Sequence, residues 1–401
     1  MTIDNVAWRE NVRDELVGNI LPFWAKHTVD PRGGFYGFID QNLTVDPGAS
    51  RSAVLNTRIL WTFSTALRMF GDAWRPVADH AFAYIRQNFV DPKHGGLFWM
   101  LDGAGKVESD RKQIYAQAFG IYGLAEYHRA TGNPESLQMA QQLFHLIEAH
   151  SHDAVHGGYI EARARDWSAL ADQRLSEKDL NSPKSMNTHL HIMEGYTNLL
   201  RVWRDPELIA RQTELMHVFF DHILDGRTNH LKLFFDMDWS LQSPHISYGH
   251  DIEASWLLVE AAEVLGDAAI LQKARDWAVA IAGTVYAEGL DSDGSIFYEA
   301  EADGTLIDPK KHWWAQAEAT VGFYNAYQLS QDGRFLEAAQ RLWSYIKDKV
   351  VDHVHGEWHA KLTPDGRALL ASEDGDVCLV GPWKCPYHNA RLCFELVERL
   401  G

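Results

Sequence analysis

Asp30-Pro-Arg-Gly-Gly-Phe-Tyr-Gly37, Asp91-Pro-Lys-His-Gly-Gly-Leu-Phe-Trp99 and His152-Asp-Ala-Val-His-Gly-Gly-Tyr-Ile160 are three versions of one motif, a glycine pair followed at once by aromatic or β-branched residues. Gly33, Gly95 and Gly157 are each 62 residues apart. Looser copies follow at Gly226-Arg-Thr-Asn-His-Leu-Lys-Leu-Phe234, Asp293-Gly-Ser-Ile-Phe-Tyr-Glu299 and His353-Val-His-Gly-Glu-Trp-His359, and Gly294 and Gly356 restore the spacing of 62. A fixed period of this length marks a repeat architecture. Glycine beside alternating apolar residues reads as a short hairpin.

Between the hairpins lie pairs of helical patterns. The periodicity predicts twelve helices, at 6–27, 50–71, 74–90, 112–131, 134–150, 185–203, 206–224, 247–265, 267–287, 311–331, 333–349 and 383–400. Thr131-Gly-Asn-Pro134, Leu265-Gly-Asp267 and Gln331-Asp-Gly333 break the pairs, with glycine ending one helix and Asp, Asn or Pro opening the next. Ile114–Tyr127, Ala254–Leu265 and Ala317–Leu329 are apolar nearly all round, as buried helices are. Their partners, such as Gly333–Lys349, carry charge on one side. Six buried helices alternating with six half-exposed ones predict two concentric rings, an all-α (α/α)6 barrel with short hairpins at one mouth and residues 1–401 forming one domain. An open solenoid is the alternative; six units close a ring, and no polar capping repeat is visible.

Composition narrows the function. The chain carries 37 Lys and Arg against 55 Asp and Glu, a net charge of −18, which disfavours nucleic acid and anionic membranes as partners. The start lacks a basic and an apolar segment, and no apolar run approaches the length of a membrane span. Three cysteines, Cys378, Cys385 and Cys393, make no disulfide framework. These features predict a cytoplasmic protein, a monomer or weak homo-oligomer. The 15 Trp and 20 His point weakly toward sugar chemistry.

Each hairpin leads into the start of an inner helix, so six helix N-termini with unpaired N–H groups converge on one mouth. Unusual residues for buried helices gather there: Arg58, Tyr115, Asn187, His189, His191, His250, Glu253, Trp313, Trp314, Glu318, Trp383, Tyr387 and His388. His250 and Glu253 share a helical face, so the carboxylate is expected to orient the imidazole. His189 and His191 point in different directions, and one of them should face the cavity. Of Trp313 and Trp314, one is the expected sugar platform. The spacing of Cys385, His388 and Cys393 fits no common zinc site, and no phosphate loop or dinucleotide fingerprint occurs.

Thr57-Arg-Ile-Leu-Trp61, Ser185-Met-Asn-Thr-His-Leu-His191, Tyr248-Gly-His-Asp-Ile-Glu-Ala-Ser-Trp256, His312-Trp-Trp-Ala-Gln-Ala-Glu318 and Gly381-Pro-Trp-Lys-Cys-Pro-Tyr-His-Asn389 together resemble the N-acylglucosamine 2-epimerases and, more closely, the cellobiose 2-epimerases. The resemblance covers essentially the whole chain. It implies an (α/α)6 barrel that epimerises carbon 2 of a reducing sugar without metal or cofactor. By position it implies His250 and His388 as the acid/base pair, His191 as a third active-site histidine, Arg58 on the enediolate and Glu253 beside the base. It further implies Trp314 and Trp383 as sugar-stacking residues and Tyr115, Asn187, Asp179 and Glu318 as further contacts. Family members often carry Lys-His where this chain has Lys112-Gln113, so residue 113 receives no role. The Gly-rich loop of the nucleotide-responsive members is not found. The motifs favour a β-1,4-linked disaccharide. The alternatives are a mannose 2-epimerase or mannose–fructose isomerase on the same site and, more remotely, an inverting glycoside hydrolase using Glu253 and Glu318.

Overall fold

The computed structural model describes residues 4–401. Twelve helices form among them: α1 (5–27), α2 (Ala53–Phe70), α3 (75–89), α4 (Ile114–Thr131), α5 (Pro134–His150), α6 (Met186–Leu200), α7 (206–223), α8 (Tyr248–Leu265), α9 (Ala268–Glu288), α10 (Trp313–Ser330), α11 (333–350) and α12 (Tyr387–Arg399). The even-numbered helices are buried along most of their length, and the odd-numbered ones bury one face. Successive inner helices pack on each other, and α1 and α2 both pack on α12. The ring is therefore closed: Ile39 bridges Val380, Arg9 Nε donates to Val397 O at 2.9 Å, and Trp24 Nε1 donates to Glu357 at 2.7 Å. This is the (α/α)6 barrel and not the open solenoid.

The predicted punctuation holds at most breaks. Gly132 and Gly266 end α4 and α8 in the left-handed region, and Asn133 and Asp267 cap the helices that follow. At the break after α10 the left-handed residue is Gln331, and Gly333 is instead the first residue of α11 behind the Asp332 cap. The predicted inner-helix starts lie one to four residues early, because five of these helices are preceded by a two-residue strand. Arg51–Ser52, Lys112–Gln113, Lys184–Ser185, Ile246–Ser247 and Lys311–His312 each pair antiparallel with a segment of the next inter-helix connection.

Each unit bends at its glycine motif, and all six predicted hairpins form, closed by bridges such as Val90–Leu97 and His152–Tyr159. The second glycine of the pair has a steric reason. Gly96 and Gly158 both have φ of +73°, and a Cβ there would fall 2.7 Å from the ring of Trp167 and 2.5 Å from that of Trp239. Those two tryptophans occupy left-handed positions in the next unit's turn and donate through Nε1 to His94 O and His156 O.

Two further registers run around the ring. Two residues before four inner helices stands a buried cation, paired with the aspartate that opens the hairpin: Arg51–Asp30, Lys112–Asp91, Lys184–Asp153 and Lys311–Asp291. Three residues inside four inner helices, a polar side chain clamps the hairpin backbone. Gln117 and Gln316 each bond both N–H and C=O of Leu97 and Ile296, and Asp251 accepts from Leu231 N. The fourth clamp is His189, whose Nε2 accepts from Tyr159 N at 2.9 Å while Nδ1 donates to Ser185 O at 2.6 Å. Among the described residues no helix is long and apolar enough to cross a membrane.

Candidate active site

The clamp register separates the paired histidines. His189 is consumed by the hairpin backbone, and burial holds its pKa at about 4. His191, two residues on, packs against the Tyr115 and Phe119 rings and donates from Nδ1 to Glu194 at 2.9 Å. It belongs to another register: Arg58, Phe119, His191, Glu253 and Glu318 each stand five residues beyond the first residue of their helix, and Arg391 stands four beyond the start of α12. Residues at one depth on six inner helices meet near the barrel axis.

At this level Arg391 is the hub. It is 1 % exposed. Its Nη1 donates to Glu194 and Tyr387 Oη, and its Nη2 lies against Glu253 and, at 2.6 Å, Glu318. Tyr387 Oη in turn donates to Glu194. Two of these carboxylates carry histidines: Glu194 binds His191, and Glu318 Oε1 faces His388 Nδ1 at 2.6 Å. Against the burial that would raise it, Arg391 and the His191 bond hold Glu194 at about 2. For Glu318 burial wins: its carboxyl is raised to about 8, with the Glu253 charge adding to the effect and Arg391 opposing it. His388 is pushed well below the usual imidazole range by burial and then by the charges of Arg58 and Arg391. The His388 Nδ1–Glu318 Oε1 contact at 2.6 Å is the geometry of a shared proton.

Closer to the opening stands His250. Its Nδ1 pairs with Ser247 Oγ at 2.8 Å, so the expected His250–Glu253 hydrogen bond is not what orients the ring. Glu253 turns to Arg391 and comes within 3.9 Å of His388 Nδ1. Burial lowers His250 to about 4, with the nearby Glu253 charge opposing. His250 and His388 both lie against Trp314, at ring-centroid distances of 4.8 and 5.5 Å. Trp314 is half-buried, whereas Trp313 is buried edge-on to His388, so Trp314 is the tryptophan offered to a ligand.

Arg58 faces this space from α2. It is 3 % exposed, donates to Tyr115 Oη at 2.7 Å and to Cys385 Sγ at 3.7 Å, and is sandwiched between the Phe119 and Tyr387 rings. Its Nε has no partner, and no carboxylate lies within 4.0 Å of it among the described residues. Trp383 stands at the rim, 40 % exposed, near Tyr115 and Trp99. Asn187 is half-buried with Oδ1 unpartnered. Asp179 stands apart from the histidines, on the loop after Asp172, where it accepts from Ser176 N and Oγ at 2.8 and 2.9 Å. Burial raises its pKa, and its charge reaches Glu161 and Glu299 on the mouth wall.

Two alternatives lose their footing on this geometry. Glu253, Glu318 and His388 have ligand-type atoms within 4.8 Å of one another, the one such cluster among the described residues, yet the cation between the two carboxylates is already Arg391. Cysteine takes no part in it. Inverting hydrolysis requires carboxyl groups about 6.5–9.5 Å apart with a water between them; Glu253 and Glu318 are too close and share one guanidinium nitrogen. Glu194 and Arg391 are the site residues that motif reading missed. Arg391 stands one residue off the five-residue register of the other inner helices, so counting that register does not single it out.

Residues 34–379 match the family model for N-acylglucosamine 2-epimerase. The chain is 47 % identical to a cellobiose 2-epimerase of Bacteroides fragilis, over 97 % of this chain and 98 % of that one, and 39 % identical to one of Ruminococcus albus over the same shares. The solved structure of a cellobiose 2-epimerase from Bacillus thermoamylovorans superposes with a TM-score of 0.91 at 40 % identity, covering 98 % of this chain and 99 % of that one. The chain belongs to the N-acylglucosamine 2-epimerase family and is a carbohydrate epimerase, an isomerase.

Proposed function

We propose that this protein epimerises carbon 2 of the reducing-end sugar of a β-1,4-linked disaccharide, converting cellobiose to glucosyl-mannose and lactose to epilactose, by proton transfer through an enediolate. The observation that carries the reading is Arg58. A buried permanent cation without a carboxylate is costly unless an anion forms beside it. The enediolate oxygen is such an anion, and a fixed guanidinium with no water to reorganise is the stabiliser it needs. The similarity to cellobiose 2-epimerases supports the disaccharide.

The two supports for carbon-acid chemistry are then distinct. His250, neutral above about pH 4, pairs through Nδ1 with Ser247 Oγ, and in the tautomer that donates from Nδ1 it keeps the Nε2 lone pair for the carbon-2 proton. The protonated His388–Glu318 pair presents N–H at Nε2, with its second proton between Nδ1 and Oε1. It returns a proton to the other face of carbon 2, after which the proton shared with Glu318 settles on Nδ1. The sugar reacts as its open-chain aldehyde: the C1–O5 bond breaks as the O1 hydrogen passes to O5 and re-forms on closure, and between these steps one carbon-2 C–H bond is broken and another formed, so the net proton count of the site is unchanged. In the reverse direction the deprotonated pair is the base and His250 the acid. Trp314 lies beneath both rings, where a sugar face would stack, and Trp383 offers a second aromatic surface at the rim. We assign Tyr115, Asn187, Glu318 and Asp179 to polar contacts around the sugar, with His191 held ready by Glu194. In this reading residues 1–401 act as one catalytic domain, without metal or cofactor, in the cytoplasm as a monomer or weak homo-oligomer.

Product chromatography after separate incubations with cellobiose, lactose, mannose and glucose tests the assignment. Epimers from the disaccharides are the expected products. Turnover restricted to mannose transfers the assignment to a mannose 2-epimerase or isomerase, and release of glucose from cellobiose to a hydrolase.

A further inference from the structure

We propose that Arg391 is a positioning residue that sets the pH at which the His388–Glu318 pair gives up its proton, while tying the partners of two separate histidines to one point. The proposal rests on the two-histidine reading above. Its basis is geometric. Arg391 touches Glu194, Glu253 and Glu318 together, and these sit behind or beside His191 and His388. It is buried at 1 % exposure with the Tyr387 and Trp256 rings at 4.2 and 4.9 Å, so it is walled off from any sugar above. It acts through the carboxylates.

Three carboxylates this close repel one another, and burial penalises every charge among them. The guanidinium offsets both effects, since its planar fork bonds several oxygens at once. Other groups face the pair too. Arg58 approaches from α2, Tyr115 from α4, and His191 and Glu194 from α6. His250 and Glu253 approach from α8, with Trp256 Nε1 donating to Glu318 Oε2, and Tyr387 is on α12 itself. Among the described residues, Arg391 is the permanent cation in contact with the Glu318 carboxylate.

The direction follows. Arg391 favours ionised Glu318, and ionised Glu318 keeps its hydrogen on His388 Nδ1, which frees Nε2 to act as base. Without the guanidinium, the pair holds its proton to higher pH and becomes a weaker acid.

The test is the pH dependence of cellobiose epimerisation for the wild type, Arg391→Met, Arg391→Lys and Tyr387→Phe. In Arg391→Met the alkaline limb of kcat moves up by at least one pH unit, kcat at neutral pH falls roughly 10–100-fold, and KM stays within about threefold. Arg391→Lys, which keeps the charge but not the three-way fork, moves the limb up by about half a unit. Tyr387→Phe leaves the limb in place. An unmoved limb in Arg391→Met, or in Arg391→Lys should the methionine variant not fold, overturns the proposal, as does an equal shift in Tyr387→Phe. A wild type that epimerises no sugar fails the underlying reading instead, a distinct result.

Discussion

Arg58 and Arg391 are buried to nearly the same degree, and their surroundings are opposite. Arg58 meets two aromatic faces, a phenol and a thiol, with a free Nε. Arg391 meets three carboxylates. A guanidinium surrounded by carboxylates is already neutralised; it holds a structure in place. One left without a counter-charge has only ring faces and weak acceptors to offset its desolvation in the resting protein. At one depth of the barrel the Arg58 side keeps an uncompensated charge and the Arg391 side compensates its own, which is why the reaction is assigned to the space that Arg58 faces.

This contrast yields graded expectations. The largest concerns the histidines between the two arginines: His250→Ala and His388→Ala each lower kcat by about 10²–10⁴-fold with far-UV circular dichroism unchanged. Near-wild-type turnover in either removes that ring from the proton path. Next comes Arg58→Met, expected to cost about 10²–10³-fold in kcat while Tm stays level or rises, because no partner carboxylate is stranded. The same substitution at Arg391 strands three and lowers stability by about 3–5 kcal/mol in urea unfolding. Equal stability losses at the two positions would erase the distinction.

The pH profile reads the two proton-carrying groups directly. His250 is held at about 4 in the free protein and must be neutral to accept a proton, so kcat/KM falls as pH drops through that value. Glu318 is raised to about 8, and the pair must hold its proton to donate it, so kcat/KM also falls as pH rises through that value. A bell between these limits is expected from initial rates in constant-ionic-strength buffers. A single limb centred on an ordinary histidine would contradict the shared proton.

The smallest effect on turnover belongs to His189, the clamp. His189→Ala strands the Tyr159 N–H and lowers stability by about 1–3 kcal/mol, with kcat within about threefold of wild type by the same assay. A large kcat loss at unchanged stability would move His189 into the site.

Much of this was legible before any coordinates. The 62-residue period announced the six units, and alternating buried and half-exposed helices announced the two rings. The motif segments put Arg58, His191, His250, Glu318 and His388 near the starts of inner helices, and the structure brings them around one space. Pairings were harder. An i, i+3 spacing put His250 and Glu253 on one helical face but could not foresee that Ser247, across the helix start, would take the imidazole, or that Arg391 from another helix would take the carboxylate. Glu194 and Arg391 lie three and two residues past the ends of the quoted motifs, and their mutual contact spans two helices, which periodicity within one helix does not reveal. The abundance of tryptophan was a weak guide for a definite reason. Trp8, Trp24, Trp256 and Trp358 are fully buried core and Trp167 and Trp239 brace glycine turns, so most of the tryptophan named here is structural, whereas Trp314 lies against His250 and His388 and Trp383 stands exposed at the rim.

Proton transfer to and from solvent-exchanged imidazoles is the central claim, and nuclear magnetic resonance of cellobiose incubated with the protein in deuterated water tests it most directly. The account predicts glucosyl-mannose carrying deuterium at carbon 2, with label also entering recovered cellobiose as the reaction reverses. Epimer formed without deuterium at carbon 2 would contradict it.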